Sequence, residues 1–155
     1  MKSLLKFAMP FAAALALCAC AKNGATQKQF AASDFNGSAW ELVSAASPKD
    51  VKIPDEKGRP VFVLFMDNSR VAGMSGVNRF NAPYKLEDKG DGTFKASFGP
   101  AAATLMAGPF LQFEQYFFKA LSETDAIRVS GEIMEFADDG KVLLTFRRND
   151  ALGKN

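Results

Sequence analysis

Pro109-Phe110-Leu111-Gln112-Phe113-Glu114-Gln115-Tyr116-Phe117-Phe118-Lys119-Ala120-Leu121-Ser122 carries the one sustained helical periodicity in the chain. Phe110, Phe113, Phe117, Ala120 and Leu121 recur at three- and four-residue spacings, which places them on one face of a helix. Leu111 and Phe118 widen that face, so the helix is expected to show little of itself to water. Pro109 suits the first helical position, where an N–H would have no intrahelical partner. The phenylalanines of this stretch read as core, not as a ligand-binding aromatic box. Short segments of period-two patterning lie on both sides of it. The fold class is therefore α+β: an antiparallel β-sheet of about seven to eight strands curled around one amphipathic helix.

Upstream, residues 39–43 (AWELV) make a candidate first strand. Residues 47–60 hold three prolines around a charged stretch and read as a long loop. Residues 61–66 (VFVLFM) are apolar on both alternating faces, the pattern of a strand buried on both sides. Asp67-Asn68-Ser69 turns this strand back into residues 70–74, a hairpin. Residues 84–88 and 93–98 flank Lys89-Gly90-Asp91-Gly92, a second hairpin, with Phe94, Ala96 and Phe98 on one face. Beyond the helix, strands are expected at 127–130, 133–136 and 141–147, with Asp138-Asp139-Gly140 as a third turn. Val142, Leu144 and Phe146 face one way there, and Thr145 and Arg147 the other.

The N-terminus has the three parts of a secretory signal. Lys2 and Lys6 give a positive start, and residues 7–17 (FAMPFAAALAL) form an uncharged apolar run too short for a spanning helix of roughly 20 residues. Leu17-Cys18-Ala19-Cys20 resembles a bacterial lipobox, with Leu three before the second cysteine and a small residue directly before it. Cleavage before Cys20 and acylation of Cys20 are the expectation; an ordinary signal cut nearby, leaving a thiol, is the alternative. Stable anchoring takes more than one acyl chain. The expected location is the bacterial cell envelope, on the outer membrane facing the periplasm in a Gram-negative cell, since Ala21 and not Asp follows the cysteine. The chain divides into a signal at 1–19, a tether at 20–35, a domain at 36–149 and a tail at 150–155.

Composition narrows the chemistry. Lys and Arg number 19 against 17 Asp and Glu, so loss of Lys2 and Lys6 leaves a net charge of zero. That offers nothing to nucleic acid, which wants a clustered basic face, and the net charge does not suggest electrostatic attachment to anionic lipid. With 48% hydrophobic residues and 15 Phe, the chain has material for a core that needs no disulfide. It contains no histidine, and its two cysteines lie in the signal region. Ser/His/Asp and Cys/His catalysis and Cys/His zinc sites are excluded on that count. Asp67, Glu114, Asp138 and Asp139 remain as carboxylates for acid–base work, but three of them sit in turn signals, where Asp bonds its own backbone. Residues 88–92 (DKGDG) lack the distal acidic ligand of a calcium loop. Gly73, Gly76 and Gly99 lack the strand-to-helix context of a phosphate loop. No catalytic residue, metal or cofactor is expected.

Two segments are more specific: residues 71–84 (VAGMSGVNRFNAPY) and 102–109 (AATLMAGP), the latter leading to Glu114, Phe117 and Leu121. With residues 37–42 (GSAWEL) and 143–146 (LLTF), they resemble the META domain family of HslJ-like bacterial lipoproteins. The family pattern runs Gly-Cys-Asn-Arg-Phe, then Thr-x-Met-Ala-Cys-Pro into the helix. Here these read Gly76-Val77-Asn78-Arg79-Phe80 and Thr104-Leu105-Met106-Ala107-Gly108-Pro109. Both family cysteines are replaced, by Val77 and Gly108; loss of both together implies that the two positions are neighbours in space, and that no thiol-dependent function survives.

The matching residues are Trp40, Gly76, Asn78, Arg79, Phe80, Tyr84, Thr104, Met106, Pro109 and Glu114, all read as structural. Asn78 can adopt a left-handed or turn conformation and tie its loop through the side-chain amide. Arg79 is a partner for Glu114, which needs one inside an apolar helix. Tyr84 offers a hydroxyl on an aromatic body, and Thr104 bonds backbone groups before the helix. The resemblance implies a non-enzymatic envelope lipoprotein associated with envelope stress or antibiotic tolerance, attached to the membrane by its lipid and open to an envelope protein partner. Rival readings are a protein-binding or inhibitor module and a carrier of a small apolar ligand.

Overall fold

Apolar side chains that recur at every second residue of a strand all leave the pleat on one face. In the computed structural model, which describes residues 29–54 and 59–153, that face closes on itself. The signal, Cys18, Cys20 and residues 55–58 of the proline-rich loop lie outside the described residues. The elements are β1 (Ala39–Ala45), β2 (Phe62–Met66), β3 (Arg70–Met74), β4 (Arg79–Gly90), β5 (Thr93–Phe98), β6 (Ala102–Ala103), α1 (Leu111–Glu123), β7 (Ala126–Ser130), β8 (Ile133–Asp138) and β9 (Lys141–Arg148). Short 3-10 turns at Ala32–Phe35 and Asp150–Gly153 precede and follow them.

Neighbours run β3-β2-β1-β9-β8-β7-β5-β4, all antiparallel, and β4 pairs again with β3, so eight strands form a barrel-like sheet around one helix's apolar face. β6 is a two-residue addition on the start of β4, with Phe80 opposite Ala103 and Asn81 opposite Ala102. The three sequence-read turns each hold one non-glycine residue at positive φ: Ser69 at 58°, Asp91 at 53° and Asp139 at 45°. A shift in the β1–β9 register between Leu42 and Ser44 leaves Val43 half-exposed on the outside.

The interior is filled with rings. Phe35, Phe65, Phe94, Phe113, Phe117, Phe136 and Phe146 are all fully buried. Their centroids lie at spacings typical of edge and tilted aromatic pairs: Phe35 to Phe65 at 4.7 Å, Phe136 to Phe146 at 4.9 Å, Phe98 to Phe136 at 5.2 Å. Helix α1 covers the end where β4 begins, with Phe117 5.3 Å from Phe80. The Ala32–Phe35 turn covers the end where β4 and β5 meet in their hairpin, with Phe35 5.0 Å from Phe94. Phe30 packs there too, 4.9 Å from Phe35 and 5.8 Å from Trp40. Residues 30–35, the end of the stretch read as tether, thus supply two rings to the packing.

Several local expectations change. β2 is buried on one face only: Val63 and Phe65 point inward, while Phe62 and Leu64 are half-buried and Met66 is exposed. The barrel has a single interior, so a strand apolar on both faces still leaves one outside. β4 begins at Arg79, five residues before the expected strand, because its first half pairs with β3 and its second with β5. Pro109 is not the first helical residue; Phe110 is the N-cap and the helix starts at Leu111. The helix keeps Gln112, Gln115, Lys119 and Ser122 in water and buries Phe113, Glu114, Phe117, Ala120 and Leu121.

Phe117 joins the helix to the barrel wall, so Phe117→Ala should cost about 3–5 kcal/mol through lost burial and an unfilled cavity. Urea unfolding followed through Trp40 fluorescence measures this.

Candidate functional site

The family-motif residues converge where the β3–β4 loop, the β6–α1 loop and the first turn of α1 meet. Glu114 anchors the group: it is 7% exposed, on the inward face of the helix between Phe113 and Phe117. Its Oε2 accepts from the Asn78 backbone N–H at 2.9 Å and from the Ser75 hydroxyl at 2.5 Å. Its Oε1 accepts from Asn78 Nδ2 at 2.7 Å. The Ser75 hydroxyl also lies 2.9 Å from the Asn78 carbonyl; it has one proton for two acceptors, and the carboxylate is the stronger. That carbonyl keeps a second donor in the Ser75 N–H, at 2.9 Å. The carboxylate also sits in the first helical turn, where the helix dipole favours negative charge.

Asn78 is the hub. Beyond its bonds to Glu114, Nδ2 donates to the Met106 carbonyl at 3.1 Å. Its Oδ1 accepts from the Thr104 hydroxyl and from the Met106 N–H, both at 2.7 Å. All four hydrogen-bonding positions of the side-chain amide are thereby used. Thr104 closes the circuit: its hydroxyl accepts from the Arg79 N–H at 3.2 Å, and its own N–H donates to the Arg79 carbonyl at 3.0 Å. Among the described residues, no buried side-chain polar atom lacks a partner. Chemically, this is a brace that ties three chain segments together.

One expectation fails here and another holds in part, since Asn78 ties its loop through the amide without being left-handed. Arg79 does not pair with Glu114; it is exposed on the outward face of β4, because strand alternation sends Phe80 inward and Arg79 out. Ser75 and Asn78 take the role instead. The left-handed residue of the loop is Gly76, at φ 112°, and not Asn78. A Cβ on Gly76 would also come within 3.0 Å of the Pro54 ring and 3.4 Å of Phe113, so only glycine fits between the proline-rich loop and the helix.

The other motif residues serve the barrel. Trp40 is fully buried on β1, its indole N–H donating to Ser38 Oγ at 2.8 Å, and the Arg148 guanidinium lies over its ring. Phe80 packs on Phe117 and Phe118. Tyr84 lies 5.1 Å from Phe65 with its hydroxyl 3.5 Å from the Met66 carbonyl, and burial raises its phenol above the ordinary tyrosine range. Pro109 and the Met106 side chain are exposed, and Met106 is held by its backbone alone. Of the other candidate carboxylates, Asp67 and Asp139 occupy turns and Asp138 ends β8, apart from Glu114. Ser75 escaped the sequence reading; its position between apolar Met74 and a glycine was the available signal.

The model of one protein family, the META domain, matches residues 33–150. No curated protein shows a significant match to the chain. Among solved structures, the NMR structure of a protein from Burkholderia xenovorans is 27% identical with a TM-score of 0.60, covering 74% of this chain and 83% of that one. A second NMR structure is 18% identical with a TM-score of 0.55, covering 77% and 95%. The crystal structure of a DUF4847 family protein from Bacteroides vulgatus is 16% identical with a TM-score of 0.50, covering 76% and 96%. The last two share the fold alone.

The two positions that hold cysteine in the motif resemblance are in contact. A Cβ built on Gly108 lies 3.6 Å from Val77 Cβ and 2.9 Å from Val77 Cγ1, so the valine side chain fills the place a second side chain would take. A separation of 3.6 Å is within the disulfide range of about 3.5–4.5 Å.

Two outcomes follow from this geometry. Asn78→Ala strips Glu114 of its Nδ2 donor and takes their side-chain partner from Thr104 and the Met106 backbone, and should cost about 3 kcal/mol. Combined with Glu114→Ala in a double-mutant cycle, it should show a coupling of about 1–3 kcal/mol in urea unfolding. The pair Val77→Cys and Gly108→Cys should oxidise without backbone movement and add about 3–4 kcal/mol relative to its reduced form. Thiol titration and unfolding with and without reductant check this, and persistent free thiols would refute it.

Proposed function

The chain belongs to the META domain family, and we propose that this member is a non-enzymatic lipoprotein, anchored in the bacterial envelope through Cys20. The observation that carries the non-catalytic part is the commitment of Glu114. This is the one buried carboxylate among the described residues, and three donors from Ser75 and Asn78 occupy it. A general acid or base must reach a substrate proton, and this carboxyl group faces Ser75 and Asn78 instead.

The anchored part draws on the Leu17-Cys18-Ala19-Cys20 pattern. Among the described residues no helix is long and apolar enough to cross a membrane. An association with envelope stress or antibiotic tolerance belongs to the same reading. So does a role as a brace or docking domain for an envelope partner. The rings that fill the barrel speak against an internal carrier of apolar ligands, since close-packed interiors leave few voids larger than water.

Replacing Cys20 with Ala in cells fed labelled palmitate should abolish incorporation into this protein and shift it from the membrane to the soluble fraction. Undiminished label would end the anchored reading while leaving the fold untouched.

A further inference from the structure

Leu105 is 100% exposed, and Met106 and Leu111 beside it are 54% and 39% exposed. Around them residues 101–107 and Pro109 are all exposed, and nearly all are apolar. Single exposed apolar residues are ordinary; a contiguous apolar protrusion marks an interaction site. No charged residue occurs between Lys95 and Glu114, in a chain where charged residues make up 23%. The protrusion is also held in shape: Asn78 fixes the Met106 N–H and carbonyl, and Thr104 is tied to Arg79. The knot thus holds Leu105 out in solvent, although an untied loop of this composition could fold its apolar side chains against the barrel.

The surroundings indicate the occupant. The tip side chains are Ala, Leu, Met, Ala and Pro, none of which carries a charge or a hydrogen-bonding group. Cations stand at its base. Arg79 lines a surface hollow with Ala102, Ala103 and Thr104, and Lys52 Nζ lies 5.5 Å from the centroid of the Phe110 ring, at the helix start. An apolar tip above a basic collar matches a lipid surface, with acyl chains meeting the tip and anionic head groups the collar.

We propose that the β6–α1 loop inserts Leu105 and Met106 into the interface of a bilayer carrying anionic head groups, with Arg79 and Lys52 at the depth of the phosphates. This contact is separate from acylation of Cys20 and orients the domain with the helix N-terminus toward the membrane. It leaves the opposite barrel end, with the Ala32–Phe35 turn and the β7–β8 turn, directed away. The nine residues from Ala21 to Gln29 must therefore span the barrel height for Cys20 to reach the same bilayer, within the roughly 30 Å that nine extended residues cover.

The test uses the full-length protein with vesicles of phosphatidylethanolamine and phosphatidylglycerol. Leu105→Cys and, at the far end, Glu132→Cys carry an environment-sensitive fluorophore, each compared with the labelled parent so that any signal from Cys18 or Cys20 is subtracted. The expected result is a blue shift of the label at 105 and its quenching by lipids bearing nitroxide on the acyl chain, with the label at 132 unchanged. Arg79→Gln with Lys52→Gln should reduce the shift, as should added salt. A water-like label at 105 on vesicles that retain the protein would overturn the loop contact and leave the anchor standing. A shift at 105 that rises with protein concentration without vesicles would overturn it in favour of a second copy of the chain. Because Leu105 touches solvent alone, its replacement should leave the unfolding midpoint unchanged.

Discussion

A carboxylate withdrawn from water must find donors within the protein, and in this fold the donors for Glu114 come from one short loop. Ser75 and Asn78 lie 39 and 36 residues upstream, on the connection between β3 and β4. Meeting that requirement seats the first turn of α1 on the β3–β4 connection. Asn78 then spends its remaining capacity on Thr104 and Met106, which brings in the β6–α1 connection as well. A buried charge of this kind is weak evidence for stability, since its desolvation offsets much of what its bonds contribute. Its consequence here is specificity: the hydrophobic stripe of α1 could slide over aromatic surface, but a carboxylate with three fixed donors allows one seating.

The rest of the domain is built around that seating. Among the described residues each of the eight barrel strands has a paired neighbour on both sides, which reduces the liability of exposed strand edges. Its interior is filled by rings, with the helix at one end and the N-terminal turn at the other. The substitution pair at Val77 and Gly108 fits the same logic. Where the motif resemblance places two cysteines, one side chain has grown and the other has vanished, and contact between the two positions is kept. In this chain the two loops meet there by the packing of Val77 against Gly108, beside the Asn78 bonds.

Much of the fold was legible because it is locally encoded. Residues 93–98 alternate strictly, and β5 has those bounds. The turns at 67–69, 89–92 and 138–140 contain the Ser, Asp and Gly that positive φ demands, and the strand limits around them agree within a residue or two. The first half of β4 was not legible. Residues 79–83 hold an arginine, an asparagine and a proline around two apolar positions, and pairing with β3 makes them a strand. Phe30 and Phe35 were equally hidden, since two rings in a polar stretch have no period to show. The helix start was misplaced by two residues, because Pro109 satisfies a local preference that the Met106–Phe110 path around Asn78 overrides.

The residues of the brace were visible one at a time, yet their partners were not. By itself, the sequence determined the class of fold, the strand hairpins, the single helix, the absence of imidazole and the motif positions, since periodicity, turn chemistry and composition are local properties. Only the tertiary structure decided that Glu114 bonds Ser75 and Asn78 and not Arg79, that Val77 fills the space beside Gly108, and that Leu105 stands in solvent. Each of these depends on which distant segments meet and on which face of a strand a side chain leaves. Such pairings are chosen by the burial of the whole barrel, and no short window of sequence contains both partners.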